Sequence, residues 1–84
     1  MIFVIKHTHD YATCMVHDEK ALKAMAEIEP RAADHGITIK ARYVNRLEHT
    51  SFFIIEAPSM EAIDALFDAV LELGHWDITP VIEK

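Results

Sequence analysis

Glycine is nearly missing from this chain, with only Gly36 and Gly74 among 84 residues. A phosphate-cradling loop needs several glycines close together so that backbone N–H groups can approach the anion, so nucleotide-binding loops of that kind are excluded. Cysteine is scarcer still. The lone Cys14 has no internal disulfide partner, which fits a reducing compartment and a cytoplasmic location. Positive charge is also thin: eight Lys and Arg stand against 14 Asp and Glu, for a formal net charge of −6. Without a basic stripe the chain lacks the attraction to phosphate that supplies most nucleic-acid affinity, so neither nucleic acid nor an anionic membrane is an expected partner. The apolar start, Met1 to Ile5, is too short for a signal segment or a membrane span. The nucleophile motif G-x-S-x-G and the zinc motif H-E-x-x-H do not occur.

What the chain has instead is apolar side chains and histidine. Hydrophobic residues make up 51% of it. That is a generous supply for one domain of 84 residues, because small domains bury a modest share of their surface. It predicts a single domain over 1–84 that hides further apolar area against a second copy of itself, as a homodimer. Six histidines match the net charge of −6 in number. Their protonation cancels it, so association is expected to depend on pH.

The pattern along the chain reads as six elements. MIFVIKHT (1–8) is β-branched and apolar, a strand. Residues 9–17 form a loop. Asp18 is a candidate cap for a helix whose apolar stripe is Ala21, Leu22, Met25, Ala26, Ile28 and Ala32. Pro30 predicts a kink or restart at Glu29, and Gly36 a stop. ITIKARYVN (37–45) alternates, with Ile37, Ile39, Ala41 and Tyr43 on one face and Thr38, Lys40 and Arg42 on the other. SFFIIEA (51–57) is a strand. Ser59 caps a second helix through Ile63, Leu66, Phe67, Val70 and Leu71, and Gly74 ends it. WDITPVIE (76–83) is a strand that Pro80 assigns to a sheet edge.

The order β-α-β-β-α-β is the split β-α-β arrangement of ferredoxin-like α+β folds. Right-handed crossovers then give an antiparallel sheet of order 4-1-3-2 with two helices on one face. The middle strands carry IFVI and FFII, apolar at both parities. Both faces of the sheet are therefore expected to be covered, one by helices and one by the partner copy.

This topology gathers the loop after strand 1, the hairpin before strand 3 and the entry to strand 4 at one end. His7, His9, Cys14, His17, His49 and His75 lie there, and His35 at the other. His7 and His9 are two apart, so an extended strand points both to one face. With Cys14 and His49 they form a candidate site for a transition metal ion: zinc, copper, nickel or iron. His17 and His75 rank below these four. Each has an ordinary structural alternative: a histidine at a strand end as a solvated or hydrogen-bonded residue, and Cys14 as a small buried hydrophobe. A second reading is a cofactor-independent isomerase- or oxygenase-like enzyme. Its histidine base is oriented by Asp10 or Glu48, in a cleft lined by Phe52, Phe53, Tyr43, Met15 and Trp76. A third is a small-molecule sensor or assembly module.

The stretches FVIKHTHDYATC, ARYVNRLEHTSFFIIEA and ITPV resemble small uncharacterised bacterial and archaeal proteins in which an apolar strand runs into His-Thr, with a Cys shortly after. His7, Thr8, His9, Cys14 and His49 are the matching positions. Those proteins carry Thr-Pro-Glu where this chain has Asp10, Tyr11 and Ala12, a departure at the loop carboxylate. The order of elements is similar to that of the dimeric α/β-barrel superfamily, in which two such sheets pack face to face. The resemblance implies a fold, a dimer through the open sheet face and a site location, and no activity.

Overall fold

Period-two burial along Ile2–Thr8 builds the first strand, β1: Phe3, Ile5 and His7 are buried, while the residues between them are not. The computed structural model describes residues 1–10 and 17–84. After β1 come α1 (Glu19–Ala26), α2 (Ile28–Ala32), β2 (Thr38–Asn45), β3 (Thr50–Glu56), α3 (Met60–Phe67) and β4 (His75–Val81). α2 and α3 each run on into a single 3₁₀ turn. The strands form one sheet of order β2-β3-β1-β4, antiparallel throughout. This is the 4-1-3-2 order expected from the sequence, and β4, with Pro80, is an edge strand. Among the described residues, no helix is long and apolar enough to cross a membrane.

The caps fall where the sequence puts them. Asp18 Oδ1 accepts hydrogen bonds from the backbone N–H groups of Lys20 and Ala21, both at 3.1 Å. Ser59 Oγ accepts one from Ala62 N at 3.1 Å. Each satisfies donors that a helix start leaves orphaned. Gly36 ends the first helical segment at φ +70°. The break attributed to Pro30 comes earlier than Glu29. α1 ends at Ala26, Glu27 is the junction, and Glu29 is helical within α2. A proline ring clashes with the carbonyl four residues back, here that of Ala26, yet fits the first turn of a new helix. The chain therefore restarts one turn before the proline.

β2 departs from the expected alternation. Its pairing with β3 runs Ile39↔Ile55 and then Ala41↔Ile54, leaving Lys40 as the extra residue of a β-bulge. One inserted residue reverses the facing of everything after it. Ile39 looks toward the helices, as Ile37 does, but Ala41 and Tyr43 turn to the open face. Arg42 is brought to the helix side instead. It pairs in register with Phe53, and its guanidinium lies 4.9 Å from that ring's centroid.

The core lies between the sheet and the helices. Ile5, Phe53, Ile55, Ile63 and Val70 are fully buried there, and Phe53, Phe67 and Trp76 pack ring on ring. The acidic rows on the helices, such as Asp64, Asp68 and Glu72, are exposed. On the other face, Val4, Phe52 and Ile54 are only half-buried.

Candidate functional site

At the end of β1 the inward parity places a histidine where the strand has so far placed Phe3 and Ile5. His7 is 2 % exposed. Its Nε2 lies 2.7 Å from the carbonyl oxygen of Leu73. A carbonyl only accepts, so Nε2 carries the proton and donates it. Nδ1 of the neutral ring is then the acceptor, and Ser51 Oγ lies 3.4 Å from it. The other side of the ring stacks on Trp76, with centroids 4.3 Å apart and planes at 30°. Burial is the main cause that lowers the His7 pKa; the Leu73 carbonyl opposes it, and the charges of His9 and Arg42 add to it. His7 is thus held as a neutral imidazole.

Gly74 is part of this arrangement. A β-carbon there would stand 2.6 Å from His7 Nε2 and 2.6 Å from the Thr8 carbonyl oxygen. The residue lies at φ +144°. The helix that Gly74 was expected to end stops earlier, at Phe67 with a 3₁₀ turn to Val70; the missing side chain of Gly74 instead lets the chain pass over the imidazole and present Leu73 O to it.

His9 extends the pairing one step beyond β1, its backbone N–H donating to His49 O at 3.1 Å. The rings of His7 and His9 are 5.6 Å apart, and those of His9 and His49 meet edge to face at 4.9 Å. Nδ1 of His9 is buried and meets no hydrogen-bond partner among the described residues. Burial is the largest cause lowering its pKa, followed by His49, with Asp10 acting in the opposite direction.

His49 closes the hairpin in the left-handed region, at φ +52°. The turn is tied by Asn45 and Glu48. Asn45 Nδ2 donates to Glu48 Oε1 at 2.8 Å, and Asn45 Oδ1 accepts from Glu48 N at 3.2 Å. Glu48 therefore serves the hairpin.

Beside these histidines lies a cavity of about 720 Å³ between α1 and the β1–β3–β2 end of the sheet. Its apolar side is Leu22, Met25, Val44 and Leu47. Its polar side includes His7, His9, His49, Ser51 and Arg42.

Three of the histidines expected at this end therefore come together. His75 sits at the same end but pairs with Thr8 on the open face, where it is exposed and 3.0 Å from Asp77 Oδ1. His17 is exposed ahead of α1, and His35 lies in the far 3₁₀ turn. Cys14 and Met15 lie outside the described residues. Among the described residues, no group of three or more His, Cys, Asp or Glu side chains stands in metal-holding geometry. The aromatic lining expected for the cleft is corrected. Phe53 and Trp76 belong to the core, while Phe52 and Tyr43 pair with each other on the open face. Arg42 and Ser51 were not anticipated in the site. Arg42 was hidden by the bulge, which ITIKARYVN does not advertise.

No curated protein matches the chain. A family model does, over residues 1–84. The chain belongs to the family described as a domain of unknown function, DUF3303.

Proposed function

We propose that this protein binds a small organic molecule in the cavity between α1 and the sheet. The observation that carries this reading is a mostly apolar cavity wall into which three imidazoles and an arginine are gathered. Its volume is in the range of small-molecule sites, which combine mostly apolar walls with a few convergent polar groups. A sensor role follows from binding alone. The enzymatic form of the same site is an isomerase- or oxygenase-like reaction with His9 as the base, since Asp10 lies within electrostatic reach of it. The test is native mass spectrometry of freshly purified protein beside Val44→Trp, which fills the cavity from an exposed strand position. A co-purifying small molecule in the wild type that is absent from the variant supports binding. Equal ligand content in both removes the cavity from consideration.

One observation favours a transition metal as a second reading: the buried Nδ1 of His9, which has no hydrogen-bond partner among the described residues and whose ring touches that of His49. Cys14 is the proposed third ligand. His7 would have to release the Leu73 carbonyl or the Ser51 hydroxyl to join. Elemental analysis after exposure to zinc, copper, nickel and iron under reducing conditions decides it. Stoichiometric metal lost in His9→Ala supports the site, and a blank rejects it.

For assembly, we propose a homodimer through the open sheet face. Val4, Phe52 and Ile54 form an apolar centre on neighbouring strands. Charges of both signs flank it, as Lys6 opposite Asp77 and Lys40 at 3.8 Å from Glu56. Such a face is self-complementary under two-fold symmetry. Sedimentation should give a dimer for the wild type and a monomer for Ile54→Lys; a wild-type monomer overturns it.

A further inference from the structure

The cavity has a sign. Two arginines, Arg42 and Arg46, line it beside the neutral His7, and among the described residues no Asp or Glu does. This stands out in a chain with a net charge of −6, whose acidic side chains outnumber Lys and Arg by 14 to eight.

Arg42 gives that sign a direction. Its Nε is buried and has no hydrogen-bond partner among the described residues. Its nearest anion, Glu29 Oε1, is 3.8 Å from an Nη, beyond hydrogen-bond length, and belongs to a half-exposed side chain. Such an exposed pair is weak and screened by water. The Phe53 ring lies 4.9 Å from the guanidinium carbon and supports one face of it. The Nε–Nη edge of arginine matches the two oxygens of a carboxylate, a geometry that lysine cannot copy. A buried donor without an acceptor is uncommon in folded proteins.

Building on the small-molecule reading above, we infer that the ligand is a carboxylate on an apolar body, with Arg42 as its anchor and Leu22, Met25 and Leu47 around the rest. The bulge at Lys40 is what makes this arrangement, since a regular β2 would turn Arg42 to the opposite face.

The experiment is an NMR titration of ¹⁵N-labelled protein with phenylacetate, indole-3-acetate and octanoate, each beside its neutral amide. The acids should bind roughly tenfold or more tightly than their amides, as expected for a charge-assisted bond in a partly buried site. Arg42→Gln should erase that preference, and a spectrum as dispersed as that of the wild type shows that the variant is folded. Arg42→Lys should restore only part of it. Amides that bind as well as acids in the wild type overturn the carboxylate inference while the cavity reading stands. A preference that survives Arg42→Gln overturns the anchor. If neither acids nor amides perturb the residues around Ser51, both readings fall together.

Discussion

Gly74 stands so close to His7 that the first carbon of any side chain there would lie 2.6 Å from the imidazole nitrogen. A packed histidine and the glycine that admits it come from positions 67 apart in the chain, and neither is explained without the other. Gly74→Ala should therefore destabilise the protein by about 2–4 kcal/mol, since both a steric clash and a strained φ are introduced. Gly36→Ala is the control. It shares a positive φ, but its β-carbon meets only the Pro58 ring, at ordinary distances of 3.7 Å to Cγ and 4.0 Å to Cδ, and the change should cost about 1 kcal/mol. Urea unfolding of the two variants measures the difference; equal costs would remove the contact with His7 as the reason for Gly74.

Stability should fall as the solution is made mildly acidic. The His7 pKa in the folded protein is below its ordinary 6.5. The unfolded chain therefore takes up the proton first. The stabilisation is complete above about pH 6.5 and is lost as pH drops from there toward the folded value. For one proton the slope is at most about 1.4 kcal/mol per pH unit. His9 acts in the same direction. Unfolding free energies measured from pH 7.5 to 5.5 should decline in the wild type. They should decline less in His7→Gln, which keeps a donor for the Leu73 carbonyl and cannot titrate. Parallel slopes would mean that His7 is not the group responsible.

At His49 the demands of the fold and of the site diverge. A non-glycine residue at φ +52° carries strain. Glycine has none there, so His49→Gly should be about 1 kcal/mol more stable than His49→Ala in thermal unfolding. Both variants should lose ligand. If alanine equals glycine, the left-handed turn is not maintained in solution.

Periodicity and punctuation in the sequence specify most of the fold. The caps at Asp18 and Ser59, the stop at Gly36 and the edge position of Pro80 are local effects, each written in one or two residues. The histidine end was legible for a similar reason: topology alone brings the ends of β1, β3 and β4 together. What stayed hidden depends on contacts between distant residues. His7 is an inward strand position like Phe3 and Ile5, and nothing in HTHD says that its ring N–H is claimed by the Leu73 carbonyl or that its Nδ1 faces the Ser51 hydroxyl. The bulge at Lys40 has no signature in ITIKARYVN, because Ala41 is small enough for either face. Everything that depended on the facing of Arg42 and Tyr43 was reversed with it.

That bulge divides β2 into two segments with separate duties. Ile37 and Ile39, before it, pack with the helices; Arg42 and Val44, after it, line the cavity. Inherited changes at 42 and 44 can therefore alter what the cavity accepts without disturbing the packing on which folding relies. The hinge point between them is a surface lysine that bears little of either load. On the proposed small-molecule reading, a lineage built on this plan could diverge in ligand while sharing one scaffold, and the positions to compare among its members are those that follow the extra residue.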